Sequence, residues 1–439
     1  MAPSVTEASK PLVFGKLVQE DNAPWAFWKL VDDRSVQGDW LAAGQEALGC
    51  LQGLALPPGE VSLQEILPAI LAEGQFGPDH WRLSGAKRVY YGVRALLPTW
   101  TRSILRRLLV AGRKNESSLQ WPIEDRYVRH QFDTVRWLLE EKGVESVRYL
   151  HFWPDGKRFA FVLTHDVEAN HGQQFVREIA NLEEGLGFRS SFNFVPELYP
   201  VDVDLLEELR ERGFEVGVHG LKHDGKLFSS ETTFLRRAER INRYLKEWGA
   251  AGFRSPMTHR NPEWMQALEI EYDSSFFDTD PFEPIPGGTM SIWPFMMGRF
   301  VELPYTLVQD HTLLVTLGET TPKLWLEKVE FIRRYSGMAL SLTHPDYLRD
   351  PSRLAVYERF LRAMRDRDDY WHALPREVAR WWRARAEAES LNALPGGTMG
   401  EIRLVDGGID LLPVEAVARE APNRSREAAG AVQTARRDW

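Results

Sequence analysis

The sequence predicts an α/β fold: a sheet or barrel of parallel strands joined by helices, with a helix-rich region before it and a small β hairpin after it. Three observations predict this. Between residues 147 and 388, short apolar runs of β type alternate with longer amphipathic patterns, the signature of parallel strands and their crossover helices. Several of those runs end on a polar residue able to do chemistry, as strands do at the C-terminal rim of such barrels. The composition, 43% hydrophobic and 27% charged over 439 residues, is that of a globular chain long enough for more than one folding unit.

Residues 1–146 read as a helical N-terminal region. Its pattern is rich in tryptophan from Pro24 to Gly143 and breaks at Pro57-Pro58-Gly59 and around Asn115. Within it, 87–114 carries Lys87, Arg88, Arg94, Arg102, Arg106, Arg107, Arg113 and Lys114, with no acid between Asp79 and Glu116. Leu96, Leu97, Trp100, Ile104, Leu105, Leu108 and Leu109 supply apolar faces, and Pro98 bends or breaks the segment. Two readings stay open: peripheral contact with an anionic membrane, or an amphipathic helix packed on the barrel.

In the barrel region, 159–164, 191–195, 214–218, 251–253 and 338–342 read as buried strands. Residues 204–212, 232–248, 324–335 and 353–365 read as the helices that connect or follow them. After Glu389, in the region 389–439, Ile402 to Val405 and Ile409 to Leu412 flank Asp406-Gly407-Gly408, a hairpin signal. From Ala418 onward the composition is that of a polar tail.

Charge and cysteine content exclude several classes. A net charge of −9 argues against nucleic acid as a partner, because phosphate neutralisation wants a basic surface. The single cysteine, Cys50, excludes an internal disulfide and a thiolate-rich zinc site, so any metal here uses His, Asp or Glu. The first residues lack the apolar stretch of a secretory signal and no run reaches the length of a membrane span. A cytoplasmic protein, with or without membrane association, is the expectation.

Four strand ends carry the chemical signal. Asp166 and Glu168 close the first run, His219 closes the third with His223 four residues on, Arg254 closes the fourth, and His344 closes the last. Alternation along a strand puts Asp166 and Glu168 on one face and His165 on the other. Two carboxylates held so close repel. A divalent metal, or a division of labour between base and ligand, resolves the conflict.

These residues, in this order, resemble the motifs of the polysaccharide deacetylases, carbohydrate esterase family 4 with its NodB-homology domain. Thr164-His165-Asp166-Val167-Glu168 resembles the family's first motif, with glutamate in place of its second aspartate. His219-Gly220-Leu221-Lys222-His223 is similar to its His-x-x-x-His, Arg254-Ser255-Pro256 to its Arg-x-Pro, and Leu342-Thr343-His344 to its Leu-x-His. Tyr272-Asp273-Ser274-Ser275 is the nearest counterpart of the fourth motif, whose Asp-x-x-Asp-Trp is absent.

The resemblance covers about half the chain and implies a distorted (β/α) barrel of the polysaccharide deacetylase type. It implies one divalent metal, Zn2+, on Glu168, His219 and His223, with Asp166 as base, Arg254 orienting it, and His344 as acid. The implied activity is metal-dependent hydrolysis of the N-acetyl group of a sugar in a polysaccharide or glycan precursor, releasing acetate. Substrate contact is expected at Tyr305, Asp310, His311 and Asp273. Two alternatives remain: hydrolysis of a non-peptide C–N amide bond in a small molecule, and a catalytically inactive carbohydrate-binding relative.

Overall fold

The computed structural model describes residues 14–18, 20–31, 39–54, 63–82 and 118–413. The basic segment 87–114 and the polar tail therefore lie outside the described residues. Among the described residues, no helix is long and apolar enough to cross a membrane.

The described strands are β1 (Ser146–Leu150), β2 (Phe159–Val167), β3 (Ser191–Phe194), β4 (Glu215–His219), β5 (Gly252–Arg254), β6 (Tyr272–Asp273), β7 (Phe295–Met297), β8 (Phe300–Glu302), β9 (Met338–Thr343), β10 (Tyr370–His372), β11 (Met399–Val405) and β12 (Gly408–Pro413). Nine of them form one mixed sheet, in the order β10-β2-β3-β4-β5-β6-β8-β7, with β9 on the other side of β2. All pairings are parallel except β7 with β8. The sheet curls. The N–H groups of Thr306 and Leu307, just past β8, donate to the Leu340 carbonyl in β9, which draws the far side of the sheet back against the opposite edge.

Every residue of β2 is buried, as a strand covered on both faces requires, and this is why it reads as a nearly continuous apolar run. The covering helices carry ordinary signals. Helix Glu231–Trp248 starts on Ser230, whose Oγ accepts from Thr233 N–H at 3.2 Å, and stops at Gly249 with φ 59°. It buries Phe234, Ala238, Ile241, Leu245 and Trp248, one stripe at helical spacing. Asp202 caps helix Val203–Glu211 and Asp350 caps helix Pro351–Arg365 in the same way. These helices hold the strands so that their C-terminal ends share one rim.

The hairpin forms as the Asp406-Gly407 turn predicts, with Gly407 at φ 76°. β11 also pairs antiparallel with β1, giving a second, three-stranded sheet. In the N-terminal region, helices Pro24–Trp28, Trp40–Glu46, Leu63–Leu71 and Arg126–Lys142 share a core with the barrel. Phe27 lies 4.9 Å from the rings of both Phe152 and Trp293, and Trp382 stacks on Phe152 at an interplanar angle of 9°.

Candidate active site

Asp166 lies near the end of β2, and Glu168 directly follows its last residue. Asp166 Oδ1 accepts from Asn193 Nδ2 at 2.9 Å and from Arg254 Nη1 at 3.2 Å, while Oδ2 stands 3.6 Å from His219 Nδ1. Register explains the Asn193 contact, since Asp166 pairs with Asn193 across β2 and β3. Gly217, opposite Asn193 in β4, leaves it room: a Cβ there would stand 2.0 Å from Asn193 Oδ1. Arg254, fully buried, is fixed by Nε to the Ser274 carbonyl at 2.7 Å and by Nη1 to Thr164 Oγ1 at 2.9 Å. Burial pushes the Asp166 carboxyl up, but its neighbours His219, Arg254 and His344 and the hydrogen bond from Asn193 outweigh it and hold the group below its ordinary range.

His165 takes the opposite face, as alternation requires, and is fully buried there. Its Nε2 meets Glu183 Oε1 at 2.7 Å and its Nδ1 meets Thr343 Oγ1 at 2.7 Å. It belongs to the packing between sheet and helices, on the side away from Asp166.

Glu168, His219 and His223 each present one donor atom, all within 4.8 Å of one another. His219 closes β4. Its Nδ1 meets the Arg254 carbonyl at 3.1 Å, which makes Nδ1–H the donor and leaves the lone pair on Nε2. That buried Nε2 has no hydrogen-bond partner, the state of a metal ligand whose other ring nitrogen is fixed by a carbonyl. Burial drives His219 down to about 4, so the ring is neutral and able to ligate at pH 7. His223, at φ 49°, turns back so that its Nε2 stands 2.9 Å from Glu168 Oε1. Burial raises the Glu168 carboxyl, yet His223, His344 and His219 together hold it well below its usual range. Two imidazoles and a carboxylate so placed fit a divalent ion of the zinc class.

His344, at the end of β9, faces this group with Nε2 4.0 Å from Glu168 Oε1. Its Nδ1 meets Asp310 Oδ1 at 2.7 Å, and its backbone N–H donates to Asp310 Oδ2 at 2.8 Å. Burial works against its charge, but Asp310, Glu168 and Asp166 push the imidazole up to about 10. An imidazolium so held is a proton donor.

The residues expected to contact substrate fall differently. Asp310 is fully buried, its Oδ1 meeting His344 Nδ1 and the His311 N–H and its Oδ2 accepting the His344 N–H. Tyr305 is buried and donates its hydroxyl to Glu283 Oε1 at 2.7 Å. Asp273 is buried with its carboxylate on Ser275 N–H and Oγ at 3.0 and 2.8 Å. Neither faces solvent. His311 alone of the four is half-buried, beside Tyr347, whose ring also stands 5.1 Å from His344. Asn193 was missed. Its signal was the polar, apolar, polar alternation of Ser191-Phe192-Asn193, which places an amide on the Asp166 face.

No family model matches the chain, and no curated protein matches it either. Solved structures do resemble it. A protein assigned as a polysaccharide deacetylase from Mycobacterium smegmatis is 22% identical over 53% of this chain and 93% of its own, with a TM-score of 0.45. Another, from Pseudomonas aeruginosa PAO1, is 16% identical over 54% of this chain and 95% of its own, also at 0.45. An allantoinase is 16% identical over 53% of this chain and 92% of its own, at 0.44. These are likenesses of fold.

Proposed function

We propose that the chain is a metal-dependent N-deacetylase acting on an acetylated amino sugar of a polysaccharide or glycan precursor. One observation carries the reading: the Glu168, His219 and His223 donor set lies between a carboxylate held by an arginine and an imidazole held by an aspartate. A divalent ion there, zinc in this reading, supplies Lewis acidity toward the amide carbonyl and the attacking water. Asp166 takes the proton of that water, with Arg254 and Asn193 fixing the oxygen it does not use. His344, charged through Asp310, gives its proton to the departing nitrogen, which leaves as an amine rather than as an amide anion. Water and the N-acetyl sugar thus become acetate and a free amino sugar.

The test is metal analysis of the purified protein together with acetate release from N-acetylated sugars. Wild type should hold one divalent ion per chain, and His219→Ala should lose it. Asp166→Asn should keep the ion while turnover falls roughly 100- to 10,000-fold, the usual worth of a positioned base. Substoichiometric metal under every loading condition would overturn the reading. Hydrolysis of small cyclic amides without acetate release from any sugar would move the same centre to the alternative substrate class.

A further inference from the structure

Beside the metal centre stands a carboxylate that the chemistry above does not use. Asp346 lies in the first turn of the short helix Pro345–Leu348, two residues beyond His344, with its side chain 7% exposed. Its Oδ2 accepts the backbone N–H of Glu168 at 2.9 Å, and its Oδ1 lies 3.2 Å from Nε2 of the exposed His171. Gly172 makes room for it. A Cβ at Gly172 would stand 2.3 Å from Asp346 Oδ2 and 2.6 Å from Oδ1, close enough that the carboxylate would have to leave its place. The turn that follows Glu168 is therefore shaped around this carboxylate.

Resting on the deacetylase reading, we propose that Asp346 is a positioning residue that locks the metal-ligand end of β2 to the acid-bearing end of β9. β2 and β9 are paired up to His165 and Thr343; the ladder ends there, and both functional side chains lie beyond its end. The Asp346 carboxylate links the two strand ends. It ties Glu168 to the turn that begins at His344, and so holds the 4.0 Å separation between Glu168 Oε1 and His344 Nε2. The acceptor oxygen is what matters, since its partner is a backbone amide that otherwise has no place in a strand pair.

The variants are Asp346→Ala, Asp346→Asn, Gly172→Ala and the double Asp346→Ala/Gly172→Ala, all in the full chain. Zinc affinity is measured by competition with a chromogenic chelator, and kcat and KM at saturating zinc. Asp346→Ala should weaken zinc binding about 10- to 100-fold, as loss of a group that orients a ligand does, and should lower kcat more than it changes KM. Asp346→Asn keeps an acceptor oxygen and should stay within about threefold of wild type on the same scale. Gly172→Ala should resemble Asp346→Ala, and the double variant should be little worse than either, because both remove one contact. The Asn variant guards against misfolding: a folded Asp346→Asn as impaired as the Ala form would overturn the proposal. So would an Asp346→Ala form with wild-type zinc affinity and kcat, while His219→Ala still loses the metal and the deacetylase reading stands. A wild type that binds no divalent ion overturns both.

Discussion

His344 owes its charge to Asp310, and this gives the site a pH signature. In the proposed mechanism His344 is the acid, competent only while protonated, so activity should be lost as pH rises through its pKa. The Asp310 carboxylate raises that pKa against the opposing effect of burial, up to about 10. Asp310→Asn removes the negative charge and keeps an acceptor, so the alkaline limb of kcat/KM should move to lower pH, with metal content unchanged. A limb that stays in place would assign it to another group. The contact of Asp310 with His344 could not be read beforehand, because the two stand 34 residues apart and Asp310 lies on a segment with no period. Asp166, Glu168, His219, Arg254 and His344 were legible for the opposite reason: each ends a run whose apolar pattern marks the strand.

Among the elements, those with a clear apolar run or stripe were readable, down to the three residues of β5, whereas helices Val176–Gly185 and Pro375–Glu387 and the strands β6, β7 and β8 were not. β2, with nine buried residues, declares itself, and so does the amphipathic stripe of helix Glu231–Trp248. β6, β7 and β8 have two or three residues each, too few for any alternation, and their pairing is decided by neighbours distant in sequence. At the other end of the sheet, β4 starts on Glu215, a buried carboxyl that accepts from Tyr272 Oη at 2.9 Å and from the Arg376 N–H, at the start of helix Pro375–Glu387, at 3.1 Å. Burial pushes it up to about 7, outweighing those hydrogen bonds. The sign follows. The unfolded carboxyl ionises near 4.5, so stability falls as pH rises from about 4.5 through 7, by an amount on the order of 3 kcal/mol. Glu215→Gln keeps the volume and can turn its oxygen to Arg376 and its amide to Tyr272. It should therefore unfold at higher temperature than wild type at pH 8 and at the same temperature near pH 4.5. Thermal melts across that range decide it, and a variant less stable at pH 8 would show that the ionised form is the one the fold prefers.

At the scale of the molecule, the question is what binds the N-terminal helices to the barrel. Aromatic packing around Phe27, Phe152, Trp293 and Trp382 is one part. A buried ion pair is another. Glu73, just past helix Leu63–Leu71, accepts from Arg260 Nε at 2.9 Å, from the Gly288 N–H at 2.7 Å, and lies 3.1 Å from His80 Nε2. The Arg260 guanidinium in turn lies 4.8 Å from the ring centres of both Phe276 and Phe277. Burial raises the Glu73 carboxyl, but Arg260 and His80 overcome this and bring it down to about 2. A depressed carboxyl contributes stability above its unfolded pKa near 4.5 and loses it as pH falls toward 2, here about 3 kcal/mol in all. Breaking such a pair is costlier than replacing it, because the survivor is left charged and buried. Glu73→Gln or Arg260→Met alone should lower unfolding stability by roughly 3–5 kcal/mol, whereas Glu73→Leu with Arg260→Met should cost much less than the sum of the two. Urea unfolding at pH 7, followed by tryptophan fluorescence and by far-ultraviolet circular dichroism, measures both effects. One coincident transition in all variants is the outcome expected of a shared core. A first transition confined to the single variants would mean that the N-terminal helices can leave a barrel that stands without them, and the ion pair would then be a clasp between two separable units.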